Sequence, residues 1–354
     1  MKRVLITGGA GFVGSNLAIS LAGLHPDWSI QALDNLHRKG SELNLDRLAG
    51  AGVEFIGGDV RSLEDLDRIG ELDALIECSA EPSVMSGVDG DTSYLVETNL
   101  TGAWNCLELA RRRDCQFIFL SSSRVYPLEG LRGLGLEEAP TRFELTDEQS
   151  VPGVSGRGVS ERMPLGGPRT LYGTTKLAAE MLAAEFGDMF GFPTVINRCG
   201  VIAGPWQMGK VDQGVFTHWM LCHIEERPLS YFGYGGTGKQ VRDLLHIDDL
   251  VELIDLQLGD PEGWDGRTFN VGGGREGSLS LLETTEICER LTGNRLEITS
   301  VPEDRAGDVP VFLSDCSALF QFTPWRPQHD PEKVMRDIHD WIAGHRGQIT
   351  EALI

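Results

Sequence analysis

This chain of 354 residues lacks long hydrophobic runs, an excess of positive charge and paired cysteines. Glycine, proline or charge interrupts each apolar run before the roughly 20 residues that a membrane-spanning helix needs, so no membrane segment is predicted. The formal net charge of −22 at pH 7 disfavours nonspecific binding to nucleic acid or anionic membranes. Seven scattered cysteines without a CxxC pair predict reduced thiols in a cytoplasmic protein, and eight histidines without metal-ligand spacing predict no metal site.

Short β-rich runs alternate with helical stretches through the first half of the chain. Strands are predicted at 3–7, 29–33, 53–56, 74–77, 116–120 and 194–198, and helices at 12–24, 62–69, 93–113 and 171–190. This alternation predicts an α/β fold, a Rossmann doubly wound parallel sheet with a smaller C-terminal substrate-binding α/β domain. We expect the first domain at 1–200 and 240–262, and the second at 201–239 and 263–354. The aperiodic stretch 127–169 is predicted to be either a lid or an ordered insertion.

A glycine-rich loop follows the first strand directly and opens a helix, with glycines at 8, 11 and 14. Such glycines let the backbone approach a pyrophosphate closely, where the helix N-terminus offers free N–H groups. A glycine triplet alone indicates only a tight turn. The next strand, however, ends at Asp34, whose carboxylate suits the ribose hydroxyls of NAD. His37, Arg38 and Lys39 leave a 2′-phosphate, and hence NADP, as the less favoured alternative.

Tyr172 and Lys176 form a YxxxK pair at the start of a predicted helix, where a spacing of four places both side chains on one face. The ammonium would stabilise a tyrosine phenolate, which is then a general base for a substrate hydroxyl. Ser121, Ser122 and Ser123 end a predicted strand, and a hydroxyl there would hydrogen-bond the reacting oxygen. Each motif alone is common in proteins without this chemistry, but their order along one chain makes coincidence improbable.

With these motifs, the chain resembles the extended short-chain dehydrogenase/reductases that act on nucleotide sugars, over nearly its whole length. The resemblance implies that Ser122, Tyr172 and Lys176 are catalytic, with Ser122 chosen because it stands three residues before Val125. It implies that Asn99 shapes the helix beneath the site. The cofactor contacts expected from the glycine loop, the strand ends and this resemblance are Gly8, Gly11, Phe12, Val13, Gly14, Asp34, Asn35, Asp59, Val60, Ala80, Asn99, Tyr172 and Lys176. Asp59 has a second interpretation, as part of an ordinary polar turn.

For the substrate, Arg242 and Arg305 are expected on a diphosphate, because guanidinium groups match phosphate oxygens in bidentate fashion. An ordinary surface ion pair is the alternative for either arginine. Weaker candidates for nucleotide or sugar contacts are Gln213 and Lys239, and Ser122 and Ser123 are expected near the sugar. Ser123-Arg124 stands where related 4,6-dehydratases carry an Asp-Glu acid/base pair, which disfavours dehydration.

Segments 34–45, 211–214 and 238–246 further resemble epimerases that act at C2 of CDP-activated sugars. The resemblance implies an NAD-dependent isomerase with a transient keto intermediate, assembled as a homo-oligomer, dimer or tetramer, through helices 93–113 and 171–190. A 4-epimerase, or another oxidation-initiated enzyme on a UDP- or GDP-sugar, remains open. A non-catalytic NAD-binding regulator is the alternative from a different class, and retention of Ser122, Tyr172 and Lys176 argues against it.

Overall fold

The computed structural model describes residues 1–83, 90–209 and 214–353. The strands are β1 Arg3–Thr7, β2 Ser29–Asp34, β3 Glu54–Gly57, β4 Ala74–Glu77, β5 Gln116–Ser122, β6 Leu136–Glu138, β7 Phe143–Leu145, β8 Val154–Ser155, β9 Gly158–Val159, β10 Thr194–Cys199, β11 Val201–Ala203, β12 Leu229–Phe232, β13 Val241–His246, β14 Arg267–Val271, β15 Ser278–Ser280, β16 Ile298–Val301 and β17 Val311–Phe312. The helices are α1 Phe12–Leu24, α2 Leu45–Gly50, α3 Leu63–Asp67, α4 Ser93–Val96, α5 Gly102–Arg113, α6 Leu128–Arg132, α7 Leu171–Phe190, α8 Val215–Ile224, α9 Ile247–Gly259, α10 Pro261–Trp264, α11 Leu281–Thr292, α12 Ser317–Phe322 and α13 Pro331–Leu353.

Seven parallel strands form the central sheet, in the order β14-β10-β5-β4-β1-β2-β3. Strands β1 and β4 are fully buried or nearly so, because α1 and α9 pack on one face of the sheet and α5 and α7 on the other. The predicted Rossmann fold is therefore confirmed. Its strand order reverses between β1 and β4, and ligands bind in such sheets at the carboxyl ends of the strands flanking this reversal.

The predicted helix 93–113 is interrupted. Between α4 and α5 the chain makes a π-helical turn at Glu97–Thr101, which places Thr98 and Asn99 in the buried interior. Such turns occur often at functional sites. Periodicity could not reveal the turn, because it adds a single residue to an otherwise regular helical pattern.

The second half of the chain builds smaller sheets. Strands β11, β13, β15 and β17 form one of them, and β12 pairs with β16 in another. Two strands fall in different sheets from those that the predicted boundaries imply: β13 belongs to the small sheet, whereas β14 closes the edge of the central one. Both are short strands of mixed polar and apolar residues, and their sequence alone does not indicate which sheet they join. The division into two domains otherwise stays a prediction.

The stretch 127–169 is an ordered insertion, carrying α6 and two short hairpins, β6-β7 and β8-β9. It contacts the C-terminal half through several bonds. The Arg142 guanidinium donates to Glu283 at 3.3 Å, and the Val159 amide donates to the Leu313 carbonyl at 2.8 Å. Glu161 accepts the amide of Asn270 at 2.7 Å. Helices in the described part of the chain are all too short or too polar to cross a bilayer.

Candidate active site

The glycine loop lies where the strand order reverses. Gly8 has a φ of +62°, and a Cβ there would lie 3.0 Å from the backbone of Cys78 and Ser79, which follow β4. A Cβ on Gly14 would lie 2.2 Å from the Gly8 carbonyl oxygen. Side chains are therefore excluded at both positions, and the backbone forms an open cradle.

Helix α1 begins at this cradle without a side-chain cap, and its first turn carries no acidic residue. The free N–H groups and positive dipole end of the helix favour a bound anion. The amides of Gly9, Ala10 and Gly11 already donate to Leu33, Asp34 and Gly8. A pyrophosphate would therefore be bound by the amides in the first turn of α1, which have no partner within the helix.

A cleft of about 390 Å³ opens above the loop. It is lined by most of the predicted cofactor residues, namely Gly8, Gly11, Phe12, Val13, Gly14, Asp34, Asn35, Val60 and Ala80. It is also lined by residues that sequence reasoning missed, among them Ser79, Tyr94, Thr98 and Met208. These lie on loops and helices distant in sequence, and no motif signalled them.

Asp34, at the end of β2, uses its carboxylate to fix the loop as well as to line the cleft. Its two oxygens accept the amides of Ala10 at 3.1 Å and Leu36 at 2.8 Å. Burial raises the pKa of Asp34, and these amide bonds partly oppose the rise. A carboxylate oxygen accepts more than one hydrogen bond, so Asp34 retains capacity for ribose hydroxyls.

Asp59, the second predicted acidic strand end, is not among the residues that line the cleft. It accepts hydrogen bonds from Arg61 and from the Asn35 side-chain amide, the latter at 2.8 Å. Burial raises its pKa, but these bonds outweigh burial and bring the pKa down to about 2. In this structure Asp59 holds Asn35 in place against the cleft.

Ser122, Tyr172 and Lys176 come from two elements that meet closely. Helix α7 begins after Thr170, whose hydroxyl accepts the Gly173 amide at 3.2 Å. A Cβ on Gly173 would lie 2.1 Å from the Arg124 carbonyl, so α7 packs directly on the turn that follows Ser122. Tyr172 is half-buried beside this turn, and Ser122 accepts the Arg124 amide at 3.2 Å. The structure thus brings the predicted serine and tyrosine to one region.

Lys176 lies deeper and is only 2% exposed. Its ammonium lies 4.1 Å from the centre of the Phe119 ring and 3.7 Å from a carboxylate oxygen of Glu77. Sequence reasoning gave no role to Glu77, because its contact with Lys176 joins positions almost one hundred residues apart.

Asn99 does not line the cleft but braces its floor. Its side-chain oxygen accepts the Glu81 amide at 2.8 Å, and its amide group donates to the Glu81 carbonyl at 3.1 Å and to the Thr175 hydroxyl at 3.3 Å. The residue therefore joins the loop after β4 to α7, one position before Lys176. Its shaping of the helix beneath the site and its contact with the cofactor both stay predictions.

A second cavity, also of about 390 Å³, is lined by residues from the second half of the chain and by Arg124 from the first. Arg124, Arg242 and Arg305 all line it, with Asp308 among them. Arg242 donates to the Asp308 carboxylate at 2.6 Å, and the Arg305 guanidinium lies 3.7 Å from the centre of the Phe232 ring. Three guanidinium groups around one carboxylate leave the cavity cationic in a strongly acidic chain.

Arg124 is the cavity residue that sequence reasoning missed as a ligand-binding group. Burial and the neighbouring charge of Arg242 lower its pKa to about 10, and its guanidinium lies near enough to Tyr172 for the two to interact electrostatically. The sequence does carry a signal for it, since Arg124 stands two residues after the proposed catalytic serine.

The remaining predicted substrate residues are less central. Lys239 donates to Glu138 of the insertion at 2.8 Å and does not line the cavity. Ser123 begins a one-turn 3₁₀ helix, Ser123–Val125, and also lies outside the lining of the second cavity. Gln213 lies outside the described residues.

One cluster away from both cavities carries metal-ligand chemistry: atoms of His246, Asp248 and His329 lie within 4.8 Å of one another. The Nδ1 atom of His246, however, accepts the Asp248 amide at 3.1 Å as the cap of α9. Its lone pair is thus already engaged. The absence of a metal site stays a prediction.

Comparisons with known proteins decide the family. Residues 4–272 match the model of the NAD dependent epimerase/dehydratase family. The chain belongs to this family. It is 31% identical to CDP-paratose 2-epimerase of Salmonella typhi over 350 residues, covering 96% of this chain and 99% of the relative. It is 28% identical to dTDP-glucose 4,6-dehydratase of Mycobacterium tuberculosis, covering 96% and 92%.

Solved structures give the same fold. UDP-glucose 4-epimerase of Thermus thermophilus, in complex with NAD, superposes with a TM-score of 0.77 at 25% identity and covers 97% of this chain and 99% of its own. This member of the epimerase/dehydratase family is therefore an NAD-dependent enzyme. The glycine cradle, the uncapped N-terminus of α1 and Asp34 are the residues that would hold NAD.

Proposed function

We propose that this enzyme epimerises a nucleotide-diphosphate sugar at C2, with a CDP-sugar of the paratose/tyvelose type as substrate. The packing of α7, which carries Tyr172 and Lys176, on the turn after Ser122 carries the proposal. A cleft suited to a dinucleotide and a cavity lined by three arginines support it. With the oxidising cofactor in the cleft and the diphosphate in the arginine cavity, we place the sugar ring beside Tyr172. The full-length likeness to CDP-paratose 2-epimerase favours C2 and cytidine.

The residues divide the chemistry as follows. NAD, when bound, accepts a hydride from the sugar carbon and later returns it. Tyr172, as phenolate, takes the proton of the C2 hydroxyl, while Ser122 hydrogen-bonds the same oxygen. Lys176 stabilises the phenolate by its positive charge. Arg242 and Arg305 would hold the diphosphate while the keto sugar turns, so that its opposite face would be presented to the cofactor.

A 4-epimerase is the second candidate function. It is supported by the superposition on UDP-glucose 4-epimerase and by the fact that serine, tyrosine and NAD perform the same oxidation at whichever carbon faces them. A regulator that only binds NAD is the alternative from another class. Retention of Ser122, Tyr172 and Lys176 in the chain argues against it.

The test is incubation of the purified enzyme with a panel of CDP-, UDP- and GDP-sugars in heavy water without added NAD. Product stereochemistry and deuterium content are read by NMR. Inversion at C2 without solvent deuterium supports the proposal and names the nucleotide. Inversion at C4 favours the second candidate, and deuterium at the inverted carbon points to proton transfer instead. A protein that retains NAD and converts no sugar is the regulator.

Asp34 tests the cofactor site separately. We expect Asp34→Ala to weaken NAD binding by roughly 10- to 100-fold, because a charged hydrogen-bond acceptor is worth about 1.5–3 kcal/mol. Titration of the apoenzyme with NAD by calorimetry measures this. Asp59→Asn is the matched control, since Asp59 holds Asn35 without lining the cleft. Equal losses in both variants would contradict a direct role for Asp34.

We also propose a homo-oligomer, dimer or tetramer, assembled through α5 and α7. These packed helices expose large apolar side chains, Trp104 on α5 and Met181 and Met189 on α7, with exposed fractions of 39%, 68% and 65%. Light scattering should give at least twice the mass of 38.7 kDa. We expect Met181→Glu to shift the protein towards monomer, and a monomeric unchanged protein would contradict the proposal. A cytoplasmic location stays a prediction from the scattered cysteines.

A further inference from the structure

Glu77 is a buried carboxyl group whose burial no hydrogen bond among the described residues explains. It ends β4, in the middle of the central sheet, and is 1% exposed. Among the described residues, neither of its carboxyl oxygens has a partner within hydrogen-bond distance. A buried acid left in this condition costs stability, so its presence calls for another explanation.

Within the described ranges of the chain, the surroundings of Glu77 contain one cation. The residues beside it in the sheet are Thr7 on β1 and Phe119 on β5, neither of them charged. From α7, the Lys176 ammonium lies 3.7 Å from its carboxylate. The other titratable groups close enough to interact are the thiols of Cys78 and Cys106, whose pKa values burial raises well above the ordinary value. Both thiols are therefore neutral at physiological pH, and Lys176 is the group that senses the charge of Glu77.

We propose that Glu77 is a positioning residue for Lys176: its carboxylate draws the ammonium towards the sheet, and protonation of Glu77 leaves the full positive charge of Lys176 to Tyr172. This inference rests on the proposed role of Lys176 in the epimerase. No bond forms or breaks in the step except that between Glu77 and a proton from solvent.

The pH range follows from burial. Burial raises the pKa of Glu77 to about 7, with the charge of Lys176 opposing the rise. Below this pH Glu77 is neutral, so no carboxylate offsets the positive charge that Lys176 exerts on Tyr172. Above it the carboxylate offsets the ammonium, so the phenolate of Tyr172 is less stabilised. The ratio of Glu77→Gln to unchanged enzyme in turnover is therefore expected near one at acid pH and higher at alkaline pH.

The direct test is a pH titration of the NAD-loaded enzyme labelled with ¹³C and ¹⁵N in its lysine side chains. The chain has six lysines, so the signal of Lys176 can be assigned by its loss in Lys176→Met. We expect this signal to shift with a midpoint near pH 7 in the unchanged enzyme. The shift should vanish in Glu77→Gln and persist in Glu77→Asp, which keeps the carboxylate. Glu161→Gln is the matched control. Burial raises the pKa of Glu161 as it does that of Glu77, but Glu161 is only partly buried and accepts the Asn270 amide.

A Lys176 signal that stays constant through neutral pH in the unchanged enzyme overturns the inference without any variant having to fold. The same midpoint in Glu77→Gln overturns it as well. Because no sugar is present, these outcomes do not depend on the substrate. If the signal shifts as expected but no sugar is converted, the pairing of Glu77 with Lys176 stands and the proposed function fails.

Turnover supplies a second readout on the sugar that the panel identifies. The activity ratio of Glu77→Gln to unchanged enzyme should rise roughly threefold to tenfold from about pH 5.5 to about pH 8.5. This corresponds to about 0.7–1.4 kcal/mol in the stabilisation of the general base. A merely structural role would lower activity by the same factor at every pH. A ratio independent of pH overturns the inference.

Discussion

Tyr172→Phe is expected to lower turnover by a factor of roughly 10² to 10⁴, because a positioned general base contributes about that much to rate. The substitution removes one hydroxyl and leaves the ring that packs beside the Arg124 turn. NAD binding by the variant should persist, since the glycine cradle and Asp34 are untouched. Steady-state conversion of the sugar identified in the panel measures the loss, and absorbance of the purified protein checks the cofactor.

The matched control is Tyr231→Phe. The Tyr231 hydroxyl bonds to Thr285 at 2.7 Å, within the small C-terminal core. This variant loses the same atom in the same type of side chain, so its turnover should stay close to that of the unchanged enzyme. Near-normal turnover by Tyr172→Phe would show that the proposed mechanism is wrong, whatever Tyr231→Phe does.

Glu180→Ala is expected to lower the free energy of unfolding by about 3–5 kcal/mol, the cost of leaving one partner of a buried ion pair alone. Glu180 accepts three hydrogen bonds from the Arg198 guanidinium, the shortest at 2.8 Å, and another from the Ser121 hydroxyl. Both side chains of the ion pair are less than 10% exposed. Removal of the carboxylate leaves the Arg198 cation buried between α7 and β10 without its counter-charge. Urea unfolding followed by circular dichroism measures the change.

Glu108→Ala supplies the control for this second prediction. Glu108 pairs with Arg111 at 2.7 Å on the outer surface of α5, and such exposed pairs contribute about 0–1 kcal/mol. The double variant Glu180→Leu with Arg198→Met should recover much of the loss, because apolar replacement removes the unpaired charge. A cost for Glu180→Ala as small as that for Glu108→Ala would contradict the importance of the buried pair.

Local patterns predicted the dinucleotide half well. The run 3–7, the glycine loop and the helix 12–24 lie next to one another in the chain, and hydrophobic periodicity with glycine spacing is enough to define them. The predicted bounds of this strand and this helix agree with β1 and α1. Asp34 was predicted at the cleft for the same reason, since it ends the strand that follows.

Features that depend on contacts between distant residues escaped prediction. The sheet to which β13 or β14 belongs is decided by its neighbours, and neither run carries that information itself. Arg124 becomes a cavity residue only when the loop of Arg305 folds over it. Glu77 reads in the sequence as a polar residue at the end of an apolar strand, and its pairing with Lys176 exists only after α7 packs on the sheet.

The insertion 127–169 has a consequence for engineering of this chain. It bonds to the Leu313 carbonyl, the Asn270 amide and the Glu283 carboxylate, all of which belong to the opposite half. Trimming the segment to a short loop would remove these bonds, together with those that Arg132 donates to the Asp308 carbonyl beside the arginine cavity. A chimera that contains the C-terminal half of this protein must therefore also contain residues 127–169, although the two segments are separated in the sequence.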